Sequence, residues 1–305
     1  TCLGLRTPLR AALAVLKDQH EKAKALCHRA GTFYDATSRN FQRMSCAEMA
    51  AGECLSWNNK NLTADDMATL AMILRTNRLP RLHTLALEGN GLGDAGVRTL
   101  CEGLGHGLAS IRCLVLGSNG FGPAGAEAIV TALRRDVMPK LEQLHIFTNR
   151  IGNQSTAALA ASLRKLPALK TLNLNSCAVG DEGVASLVDN LGKDDFKALR
   201  SILLRNNNIT DAGMATLAAA LDAGWLPNLQ ANAFFLIGNP ASAHAEQAVH
   251  CTSAMTDHAC SCRSTLMFHG SSPPLPDTRV GFAEPSHNAD AHHRLRRLHS
   301  LHALL

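Results

Sequence analysis

Aromatic side chains are scarce here: a single Tyr and two Trp join nine Phe in 305 residues, 4% in all. An interior built around large rings is excluded, and the 46% of hydrophobic residues must fill it with Leu, Ala, Val and Ile. Charge of one sign is also lacking. The balance of 30 basic and 25 acidic residues leaves a formal net charge of +5, too slight and too dispersed for a nucleic-acid surface. No uncharged apolar run reaches the roughly 18 to 20 residues of a membrane span, so no membrane partner is expected. No basic, apolar and small-residue leader opens the sequence, and the ten cysteines are scattered. Reduced thiols and a cytoplasmic location are therefore expected. Catalytic constellations are missing too: no P-loop lysine motif, no Ser, His and Asp set and no acid pair of fixed spacing stands out. A non-enzymatic protein without cofactor or metal is the expectation.

What is present is a repeat. LHTLALEGNGLGDAGVRTLCEGLG, from Leu82, has its skeleton restated from Ile111, Leu141, Leu169 and Leu199, at intervals of 29, 30, 28 and 30 residues. A fixed period of this length defines a solenoid in which each unit contacts its neighbours. Within each unit Leu85, Leu114, Leu144, Leu172 and Ile202 form one column, and Leu87, Leu116, Ile146, Leu174 and Leu204 a second, alternating with variable residues. That alternation is the pattern of a short strand with one face buried. Asn90, Asn119, Asn149, Cys177 and Asn207 follow, where a buried amide can satisfy the backbone as the chain leaves the strand. Val97, Leu100 and Leu104, like Val184, Leu187 and Leu191, then step by three and four, as one buried stripe of a helix does. Gly96, Gly125, Gly183 and Gly213 recur near the helix start, with Ser155 in the third unit; a small residue there is expected to let the helix approach the strands.

The ends are less regular. Residues 1–50 predict a helical cap: Thr7 and Pro8 read as a helix start, Leu9, Leu13, Leu16 and Ala23 to Leu26 as its stripe, and Gly31 as its stop. A second short helix is expected within 39–50. Residues 51–250 hold about seven units. The first is degenerate, with Leu55, Trp57 and Leu62 in register and Lys60 in the Asn place; the last places Phe234, Leu236 and Asn239 in the core columns after two inserted residues. Its helix is expected to fade by about 250. Residues 251–305, rich in His and carrying SSPPLP, predict a mostly disordered tail with a short helix near 291–304.

Columns matched this closely resemble the leucine-rich repeat proteins, specifically the ribonuclease-inhibitor-like subfamily, over about residues 52–250. The resemblance implies an α/β fold, a right-handed horseshoe with parallel strands on the concave face and helices on the convex face. Ribonuclease inhibitors, NOD-like receptor sensor regions and activators of Ran-type GTPases share it, and their concave face commonly binds proteins. The implied function is a protein-binding module whose partner docks on the strand face; a regulator of a small GTPase and a structural spacer are the alternatives. The variable strand residues then carry recognition. His145, Phe147, Asn173, Asn175, Leu203, Arg205, Phe235 and Ile237 form the candidate site, a mixed apolar and polar patch toward the C-terminal half.

Two apparent motifs are explained away. Gly91, Gly93 and Gly96 match a dinucleotide fingerprint, but the sibling loops FGPAG, IGNQS, VGDEG and ITDAG assign those glycines to the repeat. His258, Cys260, Cys262 and His269 match zinc spacing poorly. The sequons at Asn61, Asn153 and Asn208 are chance matches in Asn-rich loops.

Overall fold

The computed structural model describes residues 3–254, apart from 31, 36–39, 44, 77–78, 105–109, 193 and 230–233. The expected tail, its helix near 291–304 and the His258 to His269 set lie outside the described residues.

From Cys54 onward, seven strands alternate with seven helices. The strands are β3 (Cys54–Ser56), β4 (Thr84–Ala86), β5 (Cys113–Val115), β6 (Gln143–His145), β7 (Thr171–Asn173), β8 (Ser201–Leu203) and β9 (Phe234–Phe235). All pair in parallel in sequence order, as one sheet. Behind them run α3 (Ala64–Arg75), α4 (Gly93–Gly103), α5 (Pro123–Arg134), α6 (Gly152–Leu163), α7 (Asp181–Val188), α8 (Asp211–Asp222) and α9 (Ala243–Ala254). Each unit is therefore one strand and one helix, and the two columns of apolar strand residues pack between the layers with the helix stripes. Leu85, Leu87, Val97 and Leu100 are each 0% exposed, and burial of each such side chain contributes about 1.5 to 3 kcal/mol. Paired strands lie about 4.8 Å apart and packed helices about 8 to 10 Å, so the stack must curve with the sheet on the inside.

The amide ladder closes as the residue types require. Asn149 Oδ1 accepts from the N–H of Asn119 and Phe121 at 3.2 and 3.3 Å, and its Nδ2 donates to the carbonyls of Leu116 and Ile146 at 3.1 and 2.9 Å. Asn119 and Asn207 repeat the arrangement. Cys177 keeps only a weak version, its Sγ donating to the Ile146 carbonyl at 3.3 Å. Burial pushes that thiol up to about 12, against the pull of backbone hydrogen bonds from Asn149 and Thr148, so it stays protonated. In the first unit, Lys60 takes the Asn place without breaking the ladder, because its own N–H donates to Asn90 Oδ1 at 2.8 Å.

A second ladder, not anticipated from the sequence, corrects the reason for the small residue at the helix start. Asp94 Oδ1 accepts from the N–H of Gly122 and Gly125 of the next unit at 2.8 and 2.7 Å, Asn153 Oδ1 from Gly180, and Asp181 Oδ1 from Thr210. A β-carbon on Gly125, Gly183 or Gly213 would lie 2.9, 2.9 or 2.4 Å from the Oδ1 of Asp94, Asn153 or Asp181 respectively. The glycine thus leaves room for the preceding unit's side chain as well as for helix approach. Ser155 stands where the preceding unit offers Pro123, which has no such side chain to accommodate. The first unit has Asp66 at this place, 2% exposed, capping α3 through Thr63 and pairing with Arg29.

The N-terminal expectation needs two corrections. Helix α1 spans Leu3–Ala30, so it begins ahead of Thr7 and Pro8, which lie inside its second turn. Its last residue, Ala30, immediately precedes Gly31, as the stop signal requires. Ahead of the short helix expected within 39–50, which is α2 (Cys46–Ala51), stands an unexpected antiparallel hairpin of β1 (Thr32–Asp35) and β2 (Asn40–Arg43). The Thr, Phe and Tyr of 32–34 favour extended chain, and the Ser45–Glu48 capping box starts α2 only at Cys46. At the other end, Phe234 pairs with Ile202 as expected, and α9 runs to Ala254 rather than fading by 250.

Candidate protein-binding face

The outer surface of the sheet is organised in rows that run across the strands. His145, Asn173, Leu203 and Phe235 are successive register partners along one row. Phe147, Asn175, Arg205 and Ile237 form the next, two residues on, tied by N–H donation from Thr148 to Asn175, Ser176 to Arg205 and Asn206 to Ile237. All eight candidate residues therefore fall in one contiguous block, because the repeat places equivalent residues beside each other. What the repeat does not set is their exposure.

Asn173 is 9% exposed, and its amide is engaged: Oδ1 accepts from the Asn175 N–H at 3.1 Å, and Nδ2 lies 3.4 Å from Nδ1 of His145. This residue supports the surface more than it forms it. Burial holds the His145 imidazole below its ordinary pKa, so the neutral ring is favoured and accepts from the Asn173 amide. Asn175 is half-buried, its Oδ1 accepting from the Arg205 N–H at 2.7 Å. Phe147 is half-buried as well, because its ring lies over Gly117. The outward groups are Arg205, Phe235 at 42% exposure and Ile237 at 61%, with Leu203 half-buried between them. The Arg205 guanidinium stands 5.4 Å above the centre of the Phe235 ring, and no carboxylate pairs with it among the described residues.

Sequence reasoning missed a third row, at the strand entrances. Glu53, His83, Arg112, Glu142, Lys170 and Arg200 follow one another, each N–H from His83 onward donating to the preceding carbonyl. Glu142 sits between Lys170 at 2.7 Å and Arg112 at 3.2 Å, and the Lys170 ammonium holds its carboxyl below the ordinary range, with Arg112 adding to the effect. The signal was there to read: the residue after each unit's first leucine is charged or His in every regular unit.

Gly91 and Gly93 have φ of +40° and +57°, and the next residue, Asp94, turns its carboxylate to Gly122 and Gly125 of the following unit. Among the described residues no cluster of three metal-ligating side chains occurs, and no helix is long and apolar enough to cross a membrane.

A parallel strand layer backed by helices, with a mixed surface on the strands, defines a repeat solenoid. The leucine rich repeat family matches residues 80–101, 107–130, 165–188 and 199–218. Over 168 residues the chain is 32% identical to the ribonuclease inhibitor of Sus scrofa, covering 55% of this chain and 36% of that protein. It is 32% identical over 167 residues to the Tonsoku-like protein of Bos taurus, covering 53% and 12%. It is 33% identical over 162 residues to the human NACHT, LRR and PYD domains-containing protein 12, covering 52% and 15%. The chain thus carries leucine-rich repeats similar to those of the ribonuclease inhibitor. It spans about a third of the ribonuclease inhibitor's length and less of the other two.

Proposed function

We propose that this protein binds a protein partner on its strand face, at the patch formed by Phe147, Leu203, Arg205, Phe235 and Ile237, with His145, Asn173 and Asn175 as its floor. The observation that carries this reading is the pairing of Arg205 with Phe235 beside exposed Ile237. A cation held over an aromatic ring beside an exposed aliphatic residue is the composition of an interface centre. On the face of a folded monomer these apolar side chains gain nothing from water. Cys101 and Cys177 are buried thiols in the repeat core, and this supports a reducing, cytoplasmic compartment.

The test is affinity capture with mass spectrometry using the full chain and its Phe147→Ala/Arg205→Ala variant. Partners shared by repeated captures are expected to disappear with the variant while its far-ultraviolet circular dichroism is unchanged. Partners retained at full yield place the site elsewhere. A GTP-hydrolysis assay on any captured small GTPase separates regulation from binding alone.

A further inference from the structure

The strand-face patch is apolar at its centre, and the charge around it has one sign. From β5 to β9 the outward rows run from Cys113 to Ser201, from Val115 to Phe235 and from Gly117 to Ile237. With the His145 ring favoured neutral, Arg205 is their one charged side chain. The row at the strand entrances adds Arg112, Glu142, Lys170 and Arg200. Glu142 is the one carboxylate in all four rows, and Lys170 at 2.7 Å and Arg112 at 3.2 Å already hold it. Around β8, Asp181, Glu182, Asp189, Asp211 and Asp222 lie in α7 and α8 or at their ends. In the loop that leads into β8, Asp194 and Asp195 pair with Lys197 and Lys165 at 3.7 and 2.6 Å. Arg200 and Arg205 are both exposed, and neither has a carboxylate partner among the described residues. They stand at the two ends of β8, about 16 Å apart along extended chain. Between them lies half-buried Leu203, with Phe235 beside it.

Resting on the strand-face reading, we infer that the partner lays an acidic, extended segment along β8, with carboxylates for Arg200 and Arg205 and an apolar side chain between them on Leu203 and Phe235. Charge complementarity selects this occupant. A guanidinium donates two parallel hydrogen bonds to one carboxylate, and the Phe235 ring keeps that of Arg205 over the patch. Residues 255–305 of this chain carry five Arg against four Asp and Glu, so they bring no surplus of negative charge. A second copy offers Glu53 and Glu88, but at β3 and β4, inside the curve of its own sheet. A nucleic acid calls for a continuous basic track along its backbone; between the two arginines the strand offers Ser201 and Leu203 instead.

The probe is a phage-displayed library of random peptides of about 12 residues, long enough in extended form to pass both arginines. It is selected on the full chain and, in parallel, on Arg200→Glu/Arg205→Glu and Leu203→Ala/Phe235→Ala, each checked for unchanged circular dichroism. Peptides retained by the full chain are expected to carry Asp and Glu at least about 2-fold more often than the input, and on the charge-reversed variant the preference is expected to turn to Lys and Arg. An enriched acidic peptide, labelled and titrated by fluorescence anisotropy, is expected to bind either variant at least about 10-fold more weakly. Retained peptides that need Leu203 and Phe235 but show no acidic preference leave the strand-face reading standing and overturn this inference. Peptides indifferent to both pairs of residues overturn the two together. An acidic preference that survives charge reversal, or no enrichment over bare resin, overturns this inference alone, because capture of whole proteins judges the strand face separately. So does a dimer in sedimentation that charge reversal dissolves, or a labelled oligonucleotide whose binding it abolishes.

Discussion

The ring of Phe147 lies across the backbone of Gly117, so close that a β-carbon on Gly117 would come within 2.4 Å of its Cζ. One unit's missing side chain is therefore the seat of the next unit's aromatic. Gly117→Ala is expected to lift the ring at a cost of about 1 to 3 kcal/mol, because the methyl group overfills the contact. Spectra of ring-labelled Phe should show the Phe147 signals moving; unmoved signals would mean the ring is not seated there.

Asn149 bonds five backbone groups of its own and the preceding unit. With each buried unpaired group costing about 1 to 3 kcal/mol, Asn149→Ala is expected to lower stability by about 3 kcal/mol or more. Urea unfolding measures it. A loss below about 1 kcal/mol would show that water replaces the amide.

Asp181 and Gly213 are coupled, since the carboxylate that accepts from Thr210 occupies the space a β-carbon on Gly213 needs. In a double-mutant cycle Gly213→Ala and Asp181→Ala are expected to cost less together than the sum of their separate effects, by about 0.5 kcal/mol or more. Strict additivity would place the clash with Ile209 alone, whose Cγ2 lies 2.6 Å from the same point.

Burial lowers the pKa of His145 from its ordinary value of 6.5. The unfolded chain thus takes up this proton before the folded one does. Its contribution to stability is full above pH 6.5 and is lost as the pH falls through the lower folded value. Unfolding free energies measured from pH 7.5 to 5 should fall in the wild type and fall less in His145→Gln, and parallel profiles would assign the acid sensitivity to other groups.

Much of the fold is legible in the chain because each unit repeats one physical problem. The leucine columns, the Asn ladder with its Cys177 lapse and the place of Phe234 all follow from what one strand, one turn and one helix must bury or pair. The hairpin within residues 32–43 was not legible, because it occurs once and has no sibling to compare with. The Asp94, Asn153 and Asp181 ladder was visible as a column but not as an interaction, since its partners are backbone groups one unit ahead.

For the candidate face, the period alone determined that His145, Asn173, Leu203 and Phe235 share a row, and Phe147, Asn175, Arg205 and Ile237 the next, because parallel strands in constant register bring equivalent positions together. Only the tertiary structure decided which of them stay exposed. Asn173 turns its amide to His145 and Asn175, Phe147 settles on Gly117, and Arg205 comes to rest over Phe235. Most of these contacts join side chains about one repeat apart in the sequence, where their shapes and charges, rather than any column of the repeat, determine what stays exposed.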